Sequence, residues 1–350
     1  MQGWIDAETA SDVLGVKRRT VYTYASRGWI RTRRAGGRRR LYLEADVRDL
    51  RRRADAHRGE EPAAAAAMDW GPPVLPSAIT SVDADGPNYR GVPALTLAER
   101  DAAFEAVCAL LWQDDAPWPA PPEPALPSPE HPIRRLQRAL LDLPPHQPAR
   151  ALYTALVAAL SAPTEGSLAE RIAAATGVSD PVSVAAALTV CADHELNPST
   201  FAARVAASTG AATADALLAG LATLSGGLHG GLSDLTTAWL HDRRPLPGPA
   251  IGHALYPAGD PRADHLIERA LQAAPPSRLP VLRVKLAEAR TIGHPNLDVG
   301  LAALAYALGG GAHAAITWFA IARIAGYLAH IDEQRRAGGP VRPRARYVGP

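Results

Sequence analysis

Four short polar islands interrupt the alanine-rich second half of the 350-residue chain: Ala192-Asp193-His194-Glu195, Gly227-Leu228-His229-Gly230-Gly231, Gly252-His253 with Asp260-Pro261-Arg262, and Pro295-Asn296-Leu297-Asp298. They supply three imidazoles, carboxylates and an arginine, each set off by Gly, Pro or Asn. Such groups move protons and hold anions, tasks foreign to a packed core. No histidine follows His194 four residues on, so the helical two-histidine zinc arrangement is absent and no metal is expected. Taken alone, His194 at a helix junction reads equally as a cap or as a ligand contact. The glycines on both sides of His229 remove bulk, which predicts a ligand reaching both the ring and exposed amides. No dinucleotide or phosphate-loop glycine pattern accompanies them. Arg323 is the lone charge between Ala314 and Ala329. Burying a guanidinium unpaired costs on the order of several kcal/mol, so an anion should meet it, either a substrate carboxylate or an acidic side chain.

The elements that must position these groups read as helices. The chain is 47% hydrophobic, rich in Ala and poor in Phe and Met, which predicts a mainly α fold whose helices approach through small side chains. A helix over Val182–Cys191 ends at the first island; Asn197-Pro198 breaks it, and Ser199 is expected to cap the next helix, through Arg204 to Ala207. Upstream, Ala78–Val82 and Asn88–Gly91 flank Asp83-Ala84-Asp85-Gly86 as a hairpin, helical periodicity begins at Leu97, and the Pro-rich tract 116–132 reads as a long loop. Cys108 and Cys191 lack CxxC spacing and read as core thiols in a reducing compartment. The N-terminus shows no apolar leader, and the stretch Ala314–Ala329 is too short to span a bilayer. The expectation is a cytoplasmic protein with no membrane role.

Charge is unevenly placed: residues 1–58 carry 15 basic and 7 acidic side chains, a net +8, within a chain of net +2. That end suits a polyanion. Asp6 should cap a short helix carrying Ala10, Val13 and Leu14, Gly15 turns the chain, and a second helix over 17–26 places Val21 inward with Arg18, Arg19, Thr20 and Tyr22 outside. Arg31–Arg34 and Arg38–Tyr42 around Gly36-Gly37 read as a hairpin, and 44–53 as a closing helix. This run resembles the winged helix-turn-helix of the MerR type, on Leu14-Gly15-Val16, Thr20–Tyr24, Gly28-Trp29-Ile30 and Arg39–Tyr42. The resemblance implies major-groove contacts from Arg18, Arg19, Thr20 and Tyr22, with Arg38 and Arg39 in the wing on double-stranded DNA. Docking onto a protein is the alternative. Residues 59–73 read as a linker.

The remainder, 74–350, resembles citrate synthase. The segments that carry this are Asn88-Tyr89-Arg90-Gly91, Ala192–Asn197 with Ser199-Thr200, Leu228–Gly231, Gly252–Tyr256 with Asp260–Ala263, Pro295–Asp298, Ala322–Tyr327 with Ala329-His330, and Arg342-Pro343-Arg344 with Tyr347. The resemblance implies an all-α homodimer that condenses an acyl-CoA with oxaloacetate, giving citrate or 2-methylcitrate, with the acyl-CoA as co-substrate and no cofactor. It gives Asp298 the role of base on the thioester, His229 that of donor to the enolate oxygen and His253 that of polarising the ketone. His194, Arg262, Arg323 and Arg342 would bind the dicarboxylate, Arg342 from across the interface. His229 and His253 lie only 24 positions apart, which implies a trimmed small domain, approximately 232–304. A different class remains open: a DNA-binding regulator that uses the same scaffold as a metabolite sensor without turnover.

Overall fold

A computed structural model describes residues 4–26, 29–34, 40–48, 50–51, 75–144 and 146–343. Two compact units divide the chain, one of residues 1–76 with 343–350 and one of 77–342. In the first, β1 (Trp4–Ile5) leads into α1 (Ala7–Leu14), whose N-cap Asp6 accepts the Thr9 amide at 2.9 Å. Gly15 ends α1 with φ 63°, a left-handed conformation that glycine adopts without Cβ strain. α2 (Arg18–Ser26) buries Val21. β2 (Thr32–Arg34) and β3 (Arg40–Leu43) form the expected antiparallel hairpin, and β1 adds a third strand on the other edge of β3. Ala10, Leu14, Val21, Ile30, Tyr42 and Val47 close a small core. Residues 44–48 and 50–51 are helical, as the closing helix requires. The turn Gly36-Gly37, the wing residues Arg38 and Arg39, and the linker 59–73 lie outside the described residues.

The second unit opens with an antiparallel sheet of β4 (Thr80–Asp83), β5 (Gly86–Tyr89) and β6 (Val92–Pro93). The predicted hairpin turns through Ala84-Asp85, with Asp83 opposite Gly86; the third strand was not foreseen. Next come α3 (Ala94–Glu99) and α4 (Phe104–Trp112), then the Pro-rich stretch without regular structure, which ends where Pro132 starts a helix. The helices that follow are α5 (Pro132–Asp142), α6 (Ala149–Ala159), α7 (Leu168–Ala175), α8 (Pro181–Cys191), α9 (Pro198–Ser208) and α10 (Thr213–Leu224). After them come α11 (Leu232–Leu240), α12 (Pro261–Ala273), α13 (Leu279–Ile292), α14 (Leu297–Leu308) and α15 (Ala314–Ala337).

α15 lies at the centre, with α8, α9, α10 and α14 among its neighbours. From Ala314 to Ile331 it is buried on every side, so this part shows no amphipathic stripe, and only its C-terminal end reaches solvent. At 24 residues and a mean hydropathy of 1.4 over its most apolar window, it is long and apolar enough to cross a membrane, longer than the stretch read from sequence. All of that window is buried inside the protein, which is the situation of a core helix. Small residues let neighbours approach: the Gly326 amide donates to Ala192 O at 3.1 Å, where a Cβ would stand 2.5 Å from that oxygen. Ile316, Ile321, Ile324 and Ile331 fill the surrounding gaps, each fully buried isoleucine stabilising the fold by about 1.5–3 kcal/mol.

Candidate active site

Each polar island falls at a helix junction. α8 stops at Cys191, and Asn197, rather than the expected Ser199, caps α9: its Oδ1 accepts the Ser199 and Thr200 amides at 3.1 Å each. Pro198 takes the first helical position, which leaves the extended residue before it, Asn197, as the cap and puts Ser199 inside the first turn. His229 occupies the turn between α10 and α11. His253 follows a short 3-10 turn at Gly248–Ala250, and an antiparallel bridge from Ile251 to Pro295 lays this strand beside the start of α14. Asp260 caps α12, and Asn296 caps α14 with Asp298 in its first turn.

These junctions converge. His194 is buried, and its Nε2 lies 2.8 Å from the Tyr256 hydroxyl. The His194 and His253 rings stand perpendicular with centroids 5.5 Å apart, and Tyr256 lies 4.9 Å from His253. Arg262, also buried, lies over the Tyr256 ring at 5.1 Å and makes a bidentate pair with Asp260, at 2.9 and 2.8 Å. Asp260 Oδ2 further accepts the Leu297 amide at 3.2 Å, which ties the start of α12 to the start of α14. Next to that contact, Asp298 Oδ1 accepts the Ser233 hydroxyl at 2.5 Å. His229 Nε2 lies 2.7 Å from Ser199 Oγ, and its ring packs edge-on against Phe319 at 5.9 Å. Arg323 stacks on the same Phe319 at 4.9 Å and donates from Nε to Cys191 O at 2.8 Å. The fields of Arg262, Arg323, His253 and His229 all act on the His194 ring.

The electrostatics separate the roles. Burial, then the Arg323 charge, depresses His229 to about 3; burial, then Arg262, depresses His253 to about 4. His194 is held well below the usual imidazole value by burial and the surrounding positive charge. All three are therefore neutral donors near pH 7, not imidazolium ions. The Leu255 amide donates to His253 Nδ1 at 3.2 Å, which places the ring proton on Nε2. Asp298 moves the opposite way: burial raises it to about 7, although the Ser233 hydrogen bond and the Arg262 charge act against the rise. A carboxyl titrating there is suited to proton abstraction at neutral pH. Asp260 stays below the carboxylate range because Arg262 more than offsets its burial.

Several sequence expectations change here. The glycines around His229 build a tight turn: the His229 amide donates to Gly226 O, and that of Gly231 to Leu224 O and Gly226 O. A Cβ on Gly231 would stand 2.6 Å from Ser225 O. Arg323 meets no carboxylate at ion-pair distance among the described residues; a backbone carbonyl and an aromatic face receive it instead. One edge of Arg262 is already engaged by Asp260. Arg342 is exposed and, among the described residues, makes no hydrogen bond or ion pair with this cluster. Ser233, Tyr256 and Phe319 enter the site unassigned by sequence reasoning; Tyr256, three residues after His253, and Phe319, within the apolar stretch around Arg323, stood inside segments that drew attention, and Ser233 did not.

Two further groups lie apart from the cluster. In the first unit Arg18, Arg19 and Tyr22 are exposed on α2 and Thr20 is partly buried; Arg18 pairs with Glu8 at 2.7 Å. In the second unit, Asp234 receives His131 Nε2 at 2.7 Å and His313 Nδ1 at 3.0 Å. Two imidazoles and a carboxylate suggest a metal centre, but the Ile133 amide donates to His131 Nδ1 at 3.3 Å. The proton is thus on Nε2, directed at Asp234, and the trio is a hydrogen-bonded clasp.

The profile of the citrate synthase C-terminal domain matches residues 158–344, and that of a helix-turn-helix domain matches residues 4–55. Citrate synthase 2 of Bacillus subtilis is 34% identical over 187 residues, which is 47% of this chain and 50% of that protein. A 2-methylcitrate synthase of Mycobacterium tuberculosis is 32% identical over 184 residues, 45% of this chain and 46% of that protein. The chain spans about half the length of the curated relatives it matches. Among solved structures, citrate synthase from Thermotoga maritima superposes with a TM-score of 0.65 at 24% identity, covering 80% of this chain and 94% of that one. The citrate synthase of Thermoplasma acidophilum, solved as a ternary complex with carboxymethyl coenzyme A and oxaloacetate, gives 0.60 at 19% identity, covering 79% and 94%.

Proposed function

The chain belongs to the citrate synthase family, and from that premise we propose that it condenses an acyl-CoA with oxaloacetate, releasing citrate or 2-methylcitrate and free CoA. The observation that carries the reading is Asp298, a buried carboxyl raised to about 7 in the first turn of α14, beside a cluster of neutral imidazoles and arginines. A thioester α-proton is weakly acidic, so a carboxylate removes it only where preorganised donors meet the charge that develops on oxygen. Asp298 takes the α-proton while neutral His229 donates to the thioester oxygen. Ser199 Oγ holds Nε2 of that ring at 2.7 Å while its own proton goes to Asn197 Oδ1 at 2.6 Å, so the ring is oriented before substrate arrives. The enolate carbon then attacks the oxaloacetate ketone, whose oxygen receives the proton of His253 Nε2. Water cleaves the resulting thioester and frees CoA, Asp298 releases the proton it took, and His253 regains one from solvent, which restores both groups.

Arg323 and Arg262 are the forks for the diacid, with His194 adding a hydrogen bond and Arg342 completing the site from a second subunit. Closure of the trimmed part of the chain, approximately 232–304, would exclude water until the new carbon–carbon bond has formed. For the first unit, the exposed Arg18, Arg19 and Tyr22, with Thr20, fit a DNA duplex.

The test is thiol release from purified protein supplied with oxaloacetate and either acetyl-CoA or propionyl-CoA, alongside Asp298→Ala. Release by the wild type that falls at least about 1000-fold in the variant is expected. Tight binding of citrate with no release from either acyl-CoA would overturn the reading in favour of a sensor.

A further inference from the structure

We propose that Ser233 is a positioning residue for the base, fixing which oxygen of Asp298 meets the acyl-CoA; this rests on the condensation reading above. Ser233 is fully buried, and its Oγ donates to Asp298 Oδ1 at 2.5 Å. It is the one side-chain donor to that carboxylate among the described residues. The contact joins helices 65 residues apart in sequence, α11 and α14. Its own backbone is pinned, with the amide donating to Gly230 O at 3.0 Å and the carbonyl accepting Thr237 Oγ1 at 2.8 Å.

A carboxylate has two oxygens and a free torsion about its Cβ–Cγ bond, and only one orientation points a lone pair at the carbon acid. With Oδ1 engaged, Oδ2 is the oxygen that removes the proton, and the plane of the group is set before substrate arrives. The short turn from His229 to Ser233 therefore carries both the donor to the thioester oxygen and the residue that aims the base. Any displacement of the turn moves the two together. No covalent change occurs at Ser233. Its hydroxyl also favours the ionised carboxylate, in opposition to burial, while Arg262 and Asp260 at the start of α12 and Cys191 at the end of α8 complete the charged and titratable surroundings.

The experiment compares wild type, Ser233→Ala and Ser233→Thr. The Asp298 carboxyl is followed by infrared difference or NMR titration of protein labelled with carboxyl-13C aspartate, and Asp298→Asn identifies its band. Loss of the hydroxyl is expected to raise the Asp298 midpoint by about one pH unit and to lower kcat about 10-fold, with KM for oxaloacetate unchanged within about twofold. Ser233→Thr, which keeps the hydroxyl, should restore both. An Asp298 midpoint that is the same in Ser233→Ala and wild type overturns the proposal. A midpoint that moves as expected in a protein whose wild type releases no thiol upholds the Ser233–Asp298 coupling and sinks the condensation reading instead.

Discussion

Asp298 carries opposite demands for folding and for chemistry. An unfolded aspartate titrates near 3.9, whereas burial raises the folded one to about 7, so ionising it opposes folding. The penalty is absent below about pH 4, grows as pH rises towards about 7 and is complete above it, on the order of a few kcal/mol. Asp298→Asn should therefore abolish thiol release yet raise the unfolding temperature at pH 8, with little change at pH 4; calorimetry at the two pH values checks the sign. For the wild type, kcat/KM should climb with pH through about 7 and then level, because the base must be ionised to act. The imidazoles of His229 and His253, depressed to about 3 and about 4, should add no second inflection above pH 5. A rate that falls on going from pH 6 to 8 would contradict the assignment. At this scale the sequence was readable where a polar residue interrupts an apolar run, as at His194 or Asp298. Ser233 stood outside that signal, since a serine in the second position of a helix resembles many others and its partner is set by tertiary packing.

Helix starts are the recurring device at the scale of elements. Asn197, Asp260 and Asn296 cap α9, α12 and α14 with side-chain oxygens, and each cap lies within two residues of a proposed site residue. Gly, Pro and Asn therefore marked both the element boundaries and the site in the sequence, which is why the junctions were legible. β1 and β6, strands of two residues each, left no periodic trace because they are too short to alternate. The Asp234 clasp was equally invisible, for it gathers the starts of three helices, α5, α11 and α15, from separate parts of the chain. Burial pushes Asp234 up, but the hydrogen bonds and charges of His131 and His313 prevail and hold it below the carboxylate range. Its contribution to stability is present above the unfolded value near 3.9 and is lost as pH falls through the lower folded one. Asp234→Asn, which turns an amide NH2 towards a ring N–H, should cost about 1–3 kcal/mol at pH 7 and far less at pH 3, measured by urea unfolding. An equal cost at both pH values would argue against the clasp.

The whole molecule raises two questions of assembly. If Arg342 serves the partner's site, an equimolar mixture of Arg342→Ala and Asp298→Ala subunits, unfolded and refolded together, should regain about a quarter of wild-type activity. Half of the dimers are then mixed, each with one intact site. No recovery in a mixture shown to exchange subunits would place Arg342 in its own subunit's site or outside the site altogether. For the first unit, retention on duplex DNA should weaken steeply with salt, and Arg18→Ala with Arg19→Ala should flatten the logarithmic salt slope by about one for each phosphate contact removed. An unchanged slope would turn attention to a protein partner. One more consequence follows from α15. Its residues, 314–337, fill the middle of a unit whose other helices all precede it in sequence. During synthesis, those helices leave the ribosome before the rod they must wrap around exists. Their inward apolar faces stay wet until that span is delivered, which is when the nascent unit is most open to wrong association.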